Sequence, residues 1–104
     1  MRPFKPVNKY RARRTRGYSS KREAQYADTL VLRKQAGEVL DWLEQVTIKL
    51  PGGNKYVCDF VVFEATGATR FVEIKGVETE QWTIKVRALE AARPWIFERL
   101  EILK

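Results

Sequence analysis

Two strong turn signals, Pro51-Gly52-Gly53-Asn54 and the Glu64–Gly67 segment, bracket the run Lys-Tyr-Val-Cys-Asp-Phe-Val-Val-Phe at Lys55–Phe63. The run is rich in strand formers and apolar on both faces. A strand of that kind belongs inside a sheet covered on both sides, because an exposed face would alternate with polar residues. The chain around it therefore has to supply both neighbouring strands and covering helices.

Those elements are legible. Ser20-Lys21-Arg22-Glu23 matches a capping box, with Ser19 a second candidate cap; Ala24, Ala27, Leu30, Val31 and Lys34 follow at helical spacing up to Gly37. The pattern predicts a helix over 20–36. Val39, Leu40, Trp42, Leu43, Val46, Ile48 and Leu50 read as a strand preceding the turn. Arg70–Lys75 reads as a third strand ended by Gly76. Thr79 caps a second helix over 80–92, which Pro94 stops, and 95–103 reads as a last strand. Trp82 and Trp95 are placed in the core in preference to serving as base-stacking platforms. The order is α-β-β-β-α-β. Hairpins give antiparallel pairs and the helical crossover a parallel one, so the expected fold is α/β, a mixed sheet flanked by helices.

Charge divides the 104 residues unevenly. Positions 1–22 carry nine Lys or Arg and no acid, whereas the rest holds 11 basic and 13 acidic residues. Residues 1–18, with Pro3, Pro6 and Gly17 and no hydrophobic periodicity, read as a flexible basic arm, and 19–104 as the folded domain. A basic arm with Tyr10 and Tyr18 interleaved suits a polyanion, because it releases the counterions condensed on phosphates. A solubilising tail and a targeting or lipid-binding segment are the alternatives. Lys9, Arg11, Arg13, Arg14, Arg16 and Lys21 are the candidate nucleic-acid contacts, joined on the second helix by Lys85 and Arg87, which otherwise form an ordinary solvated helix face. The single cysteine, Cys58, rules out an internal disulfide and suits a reducing compartment. No apolar run reaches membrane-spanning length, so a cytoplasmic protein is expected.

There is no histidine, which excludes His-based general bases, Ser/His and Cys/His pairs, and histidine metal ligands. Chemistry must come from carboxylates, lysine, tyrosine or a hard metal held by oxygen. Asp59 sits in the middle of the doubly apolar strand, where an unpaired charge costs several kcal/mol. Fourteen residues on comes Glu73-Ile74-Lys75, whose alternation puts Glu73 and Lys75 on one face. If the hairpin register brings Asp59 beside Glu73, the two carboxylates repel unless a cation lies between them. The competing reading pairs Asp59 with Lys75 or Arg70 for structure alone. Gln45, in the first strand, is a weaker candidate for positioning water or substrate.

An acid inside an apolar strand, a turn, Glu-x-Lys ending the next strand, then a glycine and a helix: this pattern resembles the PD-(D/E)XK nuclease superfamily. It is similar in particular to small phage endonucleases and to Holliday-junction resolvases of the archaeal and phage endonuclease I types. The resemblance spans roughly residues 19–104 and rests on four positions. It implies a restriction-endonuclease-like core. It implies Asp59, Glu73 and Lys75 as catalytic residues and Glu23 as an additional helical acid. It also implies Mg²⁺, with Mn²⁺ as substitute, held by Asp59, Glu73, the Ile74 carbonyl and Glu23. Glu23 also completes the capping box, and the two roles are compatible. Cys58 stands where the motif's proline precedes the first acid. The expected activity is metal-dependent cleavage of DNA, on branched duplexes such as four-way junctions, by a homodimer. Other DNA substrates for the same fold, and a non-catalytic nucleic-acid-binding protein, are the alternatives.

Overall fold

A computed structural model of the chain describes residues 17, 18 and 20–104. Arm residues Lys9, Arg11, Arg13, Arg14 and Arg16, and with them most of the expected nucleic-acid contacts, lie outside the described residues. The elements run α1 (Lys21–Gln35), β1 (Val39–Lys49), a 3₁₀ turn (Pro51–Gly53), β2 (Lys55–Glu64), β3 (Thr69–Ile74), α2 (Glu80–Ala92), a one-turn α3 (Pro94–Phe97) and β4 (Leu100–Leu103).

Both long helices start as the sequence indicates. The Ser20 hydroxyl accepts from the Glu23 N–H at 3.1 Å, and the Thr79 hydroxyl from the Trp82 N–H at 3.1 Å. These bonds satisfy donors that a helix start leaves without partners. α1 closes in a Schellman arrangement: Gly37, at φ +81°, donates to the Lys34 carbonyl, and Glu38 to that of Arg33. At the β1–β2 connection Gly52 and Gly53 take φ of +76° and +78°, a conformation that side-chain-bearing residues resist.

The sheet order is β1-β2-β3-β4, antiparallel between the first three strands and parallel between β3 and β4. The fold is therefore α/β with a four-stranded mixed sheet. β2 feeds two cores. Phe60 and Val62 pack with Val72 against Ala27 and Leu30 of α1. Tyr56, Cys58 and Val61 pack with Leu50 against Leu89 of α2. The helices thus cover opposite faces, as a doubly apolar strand requires.

Cys58 and Phe60 are two residues apart, yet they enter opposite cores. β2 rolls over at Asp59. The ladder with β1 pairs Glu44 with Phe60 and Val46 with Cys58 but skips the position between, where Gln45 faces Asp59. Gln45 has φ +52°, the one positive φ outside glycine among the described residues. A left-handed residue inside a strand costs on the order of 1–2 kcal/mol.

The last segment corrects the sequence reading. Pro94 does more than stop α2: its fixed φ begins a second helical turn, so 95–97 are helical and the strand shortens to Leu100–Leu103. The Arg99 side chain donates to the Trp95 carbonyl at 2.6 Å and closes that turn. Trp95 is 54% exposed and is not core. Trp82 packs against the α2-side core as expected. No helix among the described residues is long and apolar enough to cross a membrane.

Candidate metal and phosphate site

Beyond Phe60 and Val72 the β2–β3 ladder ends. The next residues on each strand are Asp59 and Glu73, both buried. The Asp59 side chain takes over from the missing backbone pairing. One oxygen, Oδ2, accepts from the Ile74 N–H at 2.8 Å, and Oδ1 accepts from Gln45 Nε2 at 3.1 Å. The strained Gln45 backbone thus aims an amide at the first acid. The irregularity at 45 and 59 leaves the buried carboxylate bridging β1 and β3 across the end of the ladder.

Glu73 lies on the α2 side. Its Oε1 accepts from the Tyr56 hydroxyl at 3.0 Å. Its carboxyl is pushed up to about 7, first by burial and then by the negative charge of Asp59. The Tyr56 hydroxyl, the Lys75 charge and the Asp59 backbone N–H offset part of this. Burial and the Glu73 carboxylate push the Tyr56 hydroxyl upward, and the Cys58 thiol is raised to about 12, chiefly by burial. Cys58, buried and in contact with the Phe60 and Val72 carbonyls, is a packed thiol with little thiolate character.

Neither candidate counter-ion neutralises the acids. Arg70 is bound to Glu64 at 2.8 Å and to Glu101 at 2.6 Å. The Lys75 ammonium lies 5.5 Å from the centroid of the Trp82 ring. Among the described residues Asp59 has no salt bridge, so the purely structural pairing with Lys75 or Arg70 does not form. Glu73 and Lys75 share a face, as the alternation requires, and both line an open cavity of about 240 Å³. Lys85 lines the same cavity with Tyr56, Gln81 and Trp82. Arg87, two positions on and so about 200° around the helix, is exposed and outside it.

Glu23 is also buried, one turn into α1 and in the helix layer on the sheet's other face. The α1 start approaches the end of β3: an Arg22 guanidinium nitrogen lies 3.6 Å from where a Gly76 Cβ would sit. Lys21, exposed, opens the same helix. No group of three or more His, Cys, Asp or Glu converges tightly enough to hold a metal among the described residues. Glu23 is therefore not brought in as a third close carboxylate. What remains is two adjacent carboxylates, the backbone at Ile74 and open space on the Glu73 side. That donor set fits Mg²⁺, which commonly takes one or two carboxylates and keeps several waters.

Gln45, Tyr56 and Trp82 line the site; of these the sequence offered only Gln45 as a positioning residue, and as a weaker candidate. Tyr56 and Trp82 look like core residues, and the φ of Gln45 has no sequence signal. No known protein family, curated protein or solved structure matches the chain.

Proposed function

We propose that this chain is a divalent-metal-dependent DNA endonuclease of the PD-(D/E)XK kind, selective for branched DNA and acting in the cytoplasm. The observation that carries the reading is the pair Asp59 and Glu73. Both are buried, adjacent and without a salt bridge among the described residues, and burial beside Asp59 raises the Glu73 carboxyl to about 7. The hydrogen bonds from Ile74, Gln45 and Tyr56 leave the repulsion between the two carboxylates in place, and a bound cation removes it. When bound, Mg²⁺ would polarise the scissile phosphate and acidify a water.

The side chains divide the rest of the work. Asp59 and Glu73, helped by the Ile74 carbonyl, hold the ion. Gln45 and the Ile74 N–H fix Asp59 in orientation. Lys75 stands on the Glu73 face over Trp82, placed to offset charge developing on the phosphate. Lys85 lines the same opening and meets a neighbouring phosphate, while the basic arm holds duplex beyond it. Cutting two strands symmetrically calls for a C2 dimer.

The test is incubation of the full chain with four-way junction, flap, linear duplex and single-stranded DNA, in Mg²⁺, Mn²⁺ or EDTA. Junction cleavage that needs metal and is lost in Asp59→Asn is the expected outcome. No cleavage of any substrate in either metal overturns the proposal. A second reading, a non-catalytic nucleic-acid binder, draws on the lack of a third close acid among the described residues. It expects no Mg²⁺ or Mn²⁺ site by calorimetry.

A further inference from the structure

A second and larger cavity, about 430 Å³, opens beside the first along α2. The two share Gln81 and Lys85, so a single groove runs from Glu73 and Lys75 past Lys85 to the β1–β2 turn. The far part differs in chemistry. Its walls are aliphatic, from Leu50, Ile84 and Ala88, and its rim carries Lys55 and Lys85. Ile84 is 62% exposed although it sits on a helix whose neighbouring turns are packed into the core. Neither Lys55 nor Lys85 has an acidic partner among the described residues. The cavity therefore offers an apolar wall to a flat, weakly polar body and two free cations to anions on either side of it.

We propose that this cavity receives an unpaired nucleotide of the DNA strand being cut, its base against Ile84 and Ala88 and its flanking phosphates at Lys85 and Lys55. The proposal rests on the nuclease reading, since it takes the groove as a continuation of the cleavage site. Paired DNA shows a protein its phosphates and base edges. The apolar face of a base becomes available only where stacking is broken, as at a junction or flap. A volume near 430 Å³ is in the range of small-ligand sites and holds a nucleotide. Phosphates of intact duplex make no use of an exposed isoleucine in the groove that continues from the carboxylates. Branched DNA is thereby selected where a base is unpaired, as in a flap, or is unstacked at the branch point on binding.

The experiment is a binding measurement that does not depend on cleavage. The full chain is titrated in EDTA, at raised ionic strength to weaken contacts by the arm, with a fluorescent oligodeoxythymidine and an abasic oligomer of equal phosphate number. The base-bearing oligomer is expected to bind about tenfold more tightly. Ile84→Gln, conservative in charge and at an exposed position, is expected to abolish that difference while leaving abasic binding unchanged; Ala88→Gln, which fills the cavity, should do the same. Equal affinity for the two oligomers, or an Ile84→Gln effect on self-association in place of base preference, overturns the proposal. Metal-dependent cleavage without any base preference would sink the nucleotide cavity and leave the nuclease standing. Base-dependent binding without cleavage would keep the cavity and sink the nuclease.

Discussion

Two buried glutamates on adjacent strands meet opposite fates. Glu64, at the end of β2, is gripped by Arg33 at 2.7 Å and Arg70 at 2.8 Å, and Arg70 turns to Glu101 at 2.6 Å. The cluster ties α1, β2, β3 and β4 together, and the two guanidinium groups hold the Glu64 carboxyl below its ordinary range. Glu73, at the end of β3, sits beside another acid, receives a tyrosine hydroxyl in place of an arginine and is raised to about 7. The same residue type, similarly buried, is satisfied internally in one place and left wanting a cation in the other. The first cluster stabilises the fold. The second costs stability, and on the proposed reading it is where the chain would take up its cation.

The largest effect expected from breaking this contrast is on catalysis. Asp59→Asn keeps the side chain's size but halves the charge available to a divalent ion. Junction cleavage in Mg²⁺ is expected to fall on the order of a thousandfold, with the circular dichroism spectrum unchanged. Loss of activity accompanied by unfolding would instead place Asp59 with Glu64 among the structural acids. Next in size is Arg70→Ala, which leaves Glu64 and Glu101 short of their shared cation. A loss of about 2–4 kcal/mol in urea-induced unfolding is expected, because removing one partner of a largely buried ion pair strands the other. An unchanged urea midpoint would show that Arg33 alone satisfies Glu64.

The two glutamates should also respond to pH with opposite sign. Glu64, with its folded value depressed, contributes stability present above its ordinary value of 4.5 and lost as the solution is acidified through the folded value. Glu73, raised from 4.5 to about 7, contributes stability that is full below 4.5 and lost as pH rises through about 7. Glu73→Gln keeps a hydrogen-bonding group and removes the charge. In EDTA at pH 8 it is expected to unfold on the order of 2 kcal/mol later than the natural chain, with the gap closing toward pH 4.5. Mg²⁺ should stabilise the natural chain above pH 7 and leave the variant unaffected. A Glu73→Gln protein that is less stable at pH 8 without metal would contradict the strained pair.

How much of this was legible depended on whether the determinant was local. The caps at Ser20 and Thr79, the Gly37 stop and the Pro51–Asn54 turn are short-range chemistry, and the boundaries they imply lie within a residue or two of the observed ones. The adjacency of Glu73 to Asp59 and the shared face of Glu73 and Lys75 followed from strand alternation and a short hairpin. The last segment misled because Ile96 and Phe97 have strand propensity, while Pro94 and the Arg99 contact decide for a helical turn. The Glu64 cluster was hidden because Arg33, Glu64, Arg70 and Glu101 meet only in three dimensions. The roll of β2 at Asp59 was hidden for a different reason. An apolar strand gives no parity signal when both faces are buried, so nothing in Val57–Val62 shows where the faces exchange.

Gln45 tests that roll, with the smallest expected effect. Its side chain is half of what holds Asp59, and its backbone carries the strain of the skipped pair. Gln45→Gly relieves the φ of +52° while removing the amide, so the two contributions to stability nearly cancel, to within about 1 kcal/mol. The orientation of Asp59 gets no such compensation. Apparent Mg²⁺ affinity in the cleavage assay is expected to weaken about tenfold, as for other residues that orient a ligand, with KM for DNA unchanged. A merely structural Gln45 would alter the urea midpoint and leave the Mg²⁺ dependence alone. Gln45→Asn separates the two further, since it keeps an amide but shortens the reach to Asp59: it should tolerate the left-handed backbone better than glutamine does and still fail to restore the metal affinity.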